Sequence, residues 1–234
     1  MYKKNYIKII KNISNIKGLT LVELIVVISI FMIITSVAIF NYGNFNSTVS
    51  LQNLTDDIAL SIRKAQGFAI GARGVEEGVG PDKVFNFNNS YGMHFSVDPN
   101  PTGSLSGSNK SFLMFTVPIP VDKSTVYDKK YVYDESANAV CNDGVNKCVE
   151  LFNINTIDEI KDIKIDGVSK ASGSIDIVFT RPDPRANFCY RTSLSSSCNS
   201  DISDVEIVLS NGQTDEQFRT KTITIQNTGQ ISIQ

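Results

Sequence analysis

Residues 19–40 read LTLVELIVVISIFMIITSVAIF, from Leu19 to Phe40. This run carries one charge, Glu23, and neither glycine nor proline. As a helix rising about 1.5 Å per residue it reaches about 33 Å, enough for a hydrocarbon core of about 30 Å. A core helix of a soluble protein is apolar along one stripe, whereas this run is apolar on every face. It is therefore read as a membrane-spanning helix. A secretory signal peptide has a shorter apolar region followed by a small-residue cleavage site. Ser36-Val37-Ala38 has suitable residues, but the run before it is too long and holds a carboxylate. A plain membrane anchor leaves Glu23 without a purpose. An ionisable group in a spanning helix costs up to about 2.5–3.5 kcal/mol at the centre, and less near an end.

The segment before this run has the opposite character. The first 18 residues hold five lysines (Lys3, Lys4, Lys8, Lys11, Lys17) and no acid. Removing those five from the 22 basic residues leaves 17 against 24 acidic ones, a net of −7 where the whole chain has −2. A basic end ahead of an apolar run suits the cytoplasmic side of a membrane. The acidic remainder argues against nucleic acid as the main partner. With 234 residues the chain has room for one domain plus an extra element, or two small domains. Its 41% hydrophobic and 20% charged content is globular rather than disordered.

Lys17-Gly18-Leu19-Thr20-Leu21-Val22-Glu23-Leu24 resembles the processing site of type IV prepilins and type II secretion pseudopilins. The resemblance implies that a prepilin peptidase cuts after Gly18 on the cytoplasmic side and methylates the new N-terminus, Leu19. It also implies a role for Glu23, the fifth residue of the mature chain: pairing with the α-amino group of a neighbouring subunit inside a filament. The physics agrees, since two opposite charges in low dielectric attract strongly and each removes the other's unpaired-charge penalty. Such a pair also sets register, because a misplaced subunit buries both charges alone. The sequence departs from the family pattern in two places. Leu19 stands where phenylalanine is commonest, and Phe40 precedes Asn41-Tyr42 with no proline nearby, so no proline-driven helix break is expected.

Beyond Phe40 the polar run 41–47 is expected to loosen the helix briefly, since Gly and Asn are poor helix formers. Leu51, Leu54, Ile58, Ile62, Ala65 and Ala69 then step by three or four, an amphipathic stripe that would pack the helix onto a head. Gly71, Gly74, Gly78 and Gly80 end it. From Val84 onward the pattern is β. Candidate strands are 84–87, 91–97, 112–117, 130–133, 149–154, 160–165, 174–180, 204–210, 221–226 and 230–234, with loops at 98–110 and 181–201. The expected organisation is a cleaved leader (1–18), a transmembrane and filament-core helix (19–40), an amphipathic helix packed on the head (41–73) and a β-rich head (74–234). The expected fold class is α+β and pilin-like: a long N-terminal helix on a head of mostly antiparallel sheets.

The helix segment with Ala65, Ala69 and Arg73 resembles the pseudopilin H and FimT-type minor pilins. So does the ending Lys221-Thr222-Ile223-Thr224-Ile225 with Thr228-Gly229-Gln230-Ile231. These are low-copy subunits with β-sandwich or paired-sheet heads. The resemblance implies a minor pilin or pseudopilin, a structural and assembly-priming subunit of a type IV pilus or a type II secretion pseudopilus. The alternatives are a major pilin, or a pilus-tip binding module acting as adhesin or DNA-uptake receptor. Implied partners are prepilin peptidase, other pilin subunits through the N-terminal helix, the pilus or secretion assembly platform, and the membrane before assembly. The implied location is a single pass through the cytoplasmic (inner) membrane with an exported head, then an extracellular or periplasmic filament.

Four cysteines permit three connectivities, of which the one with two local bridges, Cys141–Cys148 and Cys189–Cys198, is favoured for an exported head. Each closes a short loop, a stabilisation of about 2–3 kcal/mol on the chain-entropy estimate. Zinc prefers two to four residues between paired ligands, and the spacings here are six and eight. Asn142, Asp143 and Asn146 supply oxygens but lack the alternating acids of a calcium loop, so an ordinary polar turn is expected. His94 is the only histidine and is expected to be a partly buried or surface strand residue. Arg181 and Arg185, followed by Arg191, are read as a small basic loop, a candidate contact for a ligand or DNA. A solvated loop with ion pairs to Asp183 or Asp201 is the plainer reading. No phosphate loop, catalytic acid pair or nucleophile motif is legible, and no catalytic residue, metal or cofactor is expected.

Overall fold

A computed structural model describes residues 18–77, 84–99, 106–118, 141, 148–170, 172–192, 198–199, 201–212 and 220–234. Among these described residues one helix, α1 (Leu21–Ile70), is followed by twelve strands. These are β1 (Val75–Glu77), β2 (Val84–Asn86), β3 (Asn89–Ser96), β4 (Ser111–Pro118), β5 (Cys148–Asn153) and β6 (Glu159–Ile165). Then come β7 (Val168–Lys170), β8 (Ser174–Thr180), β9 (Asp183–Arg191), β10 (Asp204–Ser210), β11 (Thr220–Gln226) and β12 (Ile231–Ile233). The fold is α+β, with a long N-terminal helix whose later turns pack on a β-rich head of antiparallel sheets. The chain divides into two compact units, 1–46 and 47–234.

In the first unit α1 holds a stretch, Leu21–Ile39, that is long and apolar enough to cross a membrane, and none of it is buried. Two of its hydroxyls are answered within the helix: Ser29 Oγ donates to Ile25 O at 2.8 Å and Thr35 Oγ1 to Phe31 O at 2.9 Å. That is what hydrocarbon demands of a polar group. The expected loosening at 41–47 is not there, because α1 runs unbroken through it. Gly and Asn cost about 1 kcal/mol or less per position, too little to break a helix that has no proline.

In the second unit Leu51, Ile58, Ile62, Ala65 and Ala69 are buried while Asp57, Arg63 and Lys64 are exposed. The helix ends in a reversed turn, where Arg73 N–H donates to Phe68 O at 3.2 Å and Ala72, at φ 49°, donates to Ala69 O at 3.4 Å. This is a Schellman arrangement with alanine where glycine is usual.

Two five-stranded antiparallel sheets form the head, in the orders β5-β4-β3-β8-β9 and β12-β11-β10-β6-β7, with β1 and β2 as a separate hairpin. One core joins Tyr91, Met93, Phe95 and Ile177 of the first sheet, Ile163, Ile207 and Ile223 of the second, and the buried stripe of α1. A second cluster, Leu113, Phe115, Val117, Cys148 and Val178, lies on the other face of the first sheet. That sheet is therefore covered on both sides, and β3 is buried at every position. Covering both faces requires close approach at Gly92. A Cβ there would stand 2.6 Å from Phe115 Cζ and 2.9 Å from Ile177 O. Gly92→Ala is expected to cost about 1–3 kcal/mol by overpacking, read as a lower thermal midpoint with unchanged secondary structure.

The structure departs from the sequence reading at three strands. Residues 181–201 were expected as a loop, but Asp183–Arg191 is a nine-residue strand. Pro182 and Pro184 hide it, and an edge position tolerates them. Pro184 and Arg185 fall in the irregularity between the pairs Thr180↔Asp183 and Phe179↔Ala186. The short strands β1 and β7 were not expected either. β7 returns on β6 through Asp166-Gly167, both at positive φ (48° and 76°). The candidate strand at 130–133 and the candidate turn at 142–147 lie outside the described residues.

Candidate functional site

Gly18, Leu19 and Thr20 precede α1 as exposed, non-helical chain, and Leu21 is its first residue. Glu23 lies in the first turn. Its Oε2 accepts hydrogen bonds from Thr20 N–H and Thr20 Oγ1, both at 2.9 Å. Its other carboxylate oxygen, Oε1, takes none among the described residues. The sequence placed this carboxylate at the end of an apolar run. The structure adds a partner within the same chain that the sequence reading missed, although Thr-x-x-Glu ahead of an apolar run is a legible N-terminal signal.

In the head the three arginines do not form one surface. Arg191, on the outer face of the first sheet, is buried, and its Nη2 donates to Asp176 Oδ2 at 2.7 Å. It is not available as a surface ligand contact, which corrects the reading of Arg191 as part of an open loop. Arg185 is exposed and paired with Asp183, its Nε donating to Asp183 Oδ2 at 2.6 Å. The Arg185 side chain and backbone N–H bonds hold the Asp183 carboxyl below its usual range, and the same pairing raises Arg185. Arg181 is half-buried, with Nη2 donating to Asn88 Oδ1 at 3.3 Å.

His94 is fully buried, where a partly buried or surface position was expected. Its Nδ1 meets Asp176 Oδ1 at 2.5 Å and its Nε2 meets Ser106 O at 2.9 Å. His94, Asp176 and Arg191 thus form an internal chain of polar contacts that anchors the 106–108 segment onto the sheet. One sequence signal pointed to it: Asp176 interrupts the otherwise apolar middle of Ser174–Thr180. A second tie joins α1 to the loop before β6. Asp158 is buried, with Oδ2 accepting from Ser50 Oγ at 2.5 Å and Thr156 Oγ1 at 2.6 Å. Lys110 Nζ donates to the carbonyls of Thr156, Ile157 and Asp158 at 3.2, 2.9 and 2.6 Å.

Cys141–Cys148 and Cys189–Cys198 are disulfides, with Cα separations of 4.8 and 4.9 Å, inside the usual range. No group of three or more His, Cys, Asp or Glu side chains among the described residues is placed to hold a metal ion. An open groove of about 540 Å³ between α1 and the β4–β5 edge is lined by apolar side chains such as Leu54, Leu60 and Phe152 and by the polar Asp57, Ser61 and Lys64.

A family model for the prokaryotic N-terminal methylation motif matches residues 13–39. No curated protein matches the chain, and no solved structure does. The motif covers the basic-to-apolar junction, Gly18, Glu23 and the whole spanning stretch. It supports a type IV pilin-like protein with a prepilin leader, anchored through its apolar helix.

Proposed function

We propose that this chain is a minor pilin or pseudopilin. It is cut by prepilin peptidase after Gly18, methylated at Leu19, and built into a type IV pilus or a type II secretion pseudopilus as a structural, assembly-priming subunit. The observation that carries this reading is the coincidence at one helix terminus of the methylation motif, a carboxylate at the fifth mature position and an exposed apolar span. Lysines hold the leader in the cytoplasm while the helix spans the membrane. Assembly then exchanges lipid for the apolar faces of neighbouring helices, a step driven by packing since lipid is as apolar as the side chains. Glu23 sets register against a neighbour's α-ammonium. The head, covered on both faces of its first sheet and closed by two disulfides, is the exported part.

Mass spectrometry of filaments sheared from the native cells tests this. A peptide beginning at N-methylated Leu19, at a few per cent of the dominant pilin (order of magnitude), is expected for a minor subunit. The same peptide as the dominant species would make the chain the main building block. An intact leader, with the chain confined to the membrane fraction, would refute the filament reading.

A further inference from the structure

The first turn of α1 is closed by reciprocal hydrogen bonds immediately beside the bond that processing would cut. Thr20 N–H and Thr20 Oγ1 donate to Glu23 Oε2, and Glu23 N–H donates back to Thr20 Oγ1 at 3.3 Å. Leu24 N–H makes the first intrahelical bond, to Thr20 O at 3.1 Å. Thr20 is thus the N-cap and Glu23 the third helical residue, a capping box in which each side chain satisfies the other's backbone N–H. Leu19 and Leu24 have the spacing of the apolar pair that often flanks such a box. Gly18 and Leu19 stand outside the helix, with open space around Gly18.

We propose that Thr20 is a positioning residue for leader cleavage: with Glu23 it stops α1 at Leu21, so that the Gly18–Leu19 peptide is presented to the peptidase as extended chain. The inference rests on the proposed function above. In the cleavage, water adds its oxygen to the Gly18 carbonyl carbon and the C–N bond to Leu19 breaks. The products are a Gly18 carboxylate and a Leu19 α-ammonium. A peptide inside a helix has its N–H and C=O committed to intrahelical bonds, so it cannot pair along a protease cleft, where extended backbone docks through those same groups. The cap decides which side of this line the bond falls on. From Leu21 onward the helix is built for hydrocarbon, where bare N–H groups are too costly for it to fray inward. A helix that lost its cap would instead recruit residues upstream. The next side chain toward the N-terminus with N-cap chemistry is that of Asn15. A helix starting there would take the Gly18–Leu19 peptide into its first turn. Gly18, a poor helix former, opposes the same extension.

The box also separates two tasks of one carboxylate. Oε2 caps the helix, and Oε1 is left for a neighbouring subunit. Glutamine can complete a capping box but carries no charge. The box survives cleavage, because Thr20 keeps its backbone N–H in the mature chain.

The test is a time course of cleavage of the full-length chain in membranes that contain an active type IV prepilin peptidase. It is read as the peptide beginning at Leu19. Thr20→Val and Glu23→Ala are expected to be cut about fivefold more slowly, the scale of a lost N-cap, and Thr20→Ser and Glu23→Gln to return to within about twofold of the unsubstituted chain. Amide exchange on the uncut chains gives a second readout: the Leu19 N–H exchanges freely in the unsubstituted chain and becomes protected in Thr20→Val, where it would gain an intrahelical acceptor. Cleavage of Thr20→Val at the unsubstituted rate, or failure of Thr20→Ser to restore it, would overturn the inference and leave the proposed function standing. An unsubstituted chain that is never cut after Gly18 would overturn the proposed function itself.

Discussion

Asp176→Asn is expected to lower the stability of the head by about 3–5 kcal/mol, the scale of breaking a buried ion pair by removing one partner. For a chain of this size that is roughly 6–20 °C in thermal midpoint. Asp176 is fully buried and stands between two groups that both need it. Arg191 Nη2 meets Oδ2 and His94 Nδ1 meets Oδ1. Asparagine keeps the shape but withdraws the negative charge, leaving the Arg191 guanidinium, only 2% exposed, without its carboxylate. The position magnifies the effect, because β8 lies between β3 and β9 inside the first sheet and His94 also bonds the Ser106 carbonyl. Asp183→Asn is the matched control. It also removes a carboxylate from an arginine, but the pair is exposed and its charges are screened, so the midpoint should stay where it is. Tyrosine fluorescence can follow the unfolding, since the chain has no tryptophan. A midpoint for Asp176→Asn within error of the unsubstituted chain would show that the buried network is not what holds this sheet.

What the sequence disclosed, and what it hid, follows the range of the interactions. The spanning helix and the Gly18–Glu23 junction are local, a matter of spacing within one or two turns. The alternation in Glu159–Ile165 and Thr220–Gln226 is equally local, and both are strands with one face in the core. β9 was hidden because prolines at 182 and 184 read as loop, and only its place at a sheet edge makes them harmless. β7 was legible in principle, since Asp166-Gly167 between apolar-alternating residues is a two-residue hairpin signal. The burial of His94 was not legible. Its partner is 82 residues away, and the outer face on which it sits is buried only because other parts of the chain cover it. A polar residue in a strand is ordinarily assigned to solvent, and nothing within a few residues of His94 says otherwise. The same holds for Arg191, which local composition assigned to an open basic loop. In a sheet covered on both sides, alternation no longer separates inside from outside, and buried polar residues must find one another instead.

Glu23→Gln is expected to be cut and methylated normally yet to fall about a hundredfold in filaments relative to the unsubstituted chain. Before assembly the carboxylate lies close to the start of the span, capped by Thr20 and near enough to the membrane surface for the charge to be cheap. In the proposed filament the helices would surround one another, and the α-ammonium at mature Leu19 would need a counter-charge there. Glutamine supplies the cap but not the charge. A buried ammonium opposite an amide costs several kcal/mol, and about 3 kcal/mol is already roughly a hundredfold in an equilibrium. The packing that favours assembly is spread over the whole apolar surface of Leu21–Ile39 and is untouched by the substitution, so the loss reports the charge alone. The check is the ratio of processed chain in sheared filaments to processed chain left in the membrane, measured for both proteins. Accumulation of cut, methylated Glu23→Gln in the membrane is the expected pattern. Equal ratios would mean that the helix is placed by its apolar faces and that the carboxylate serves only to cap it.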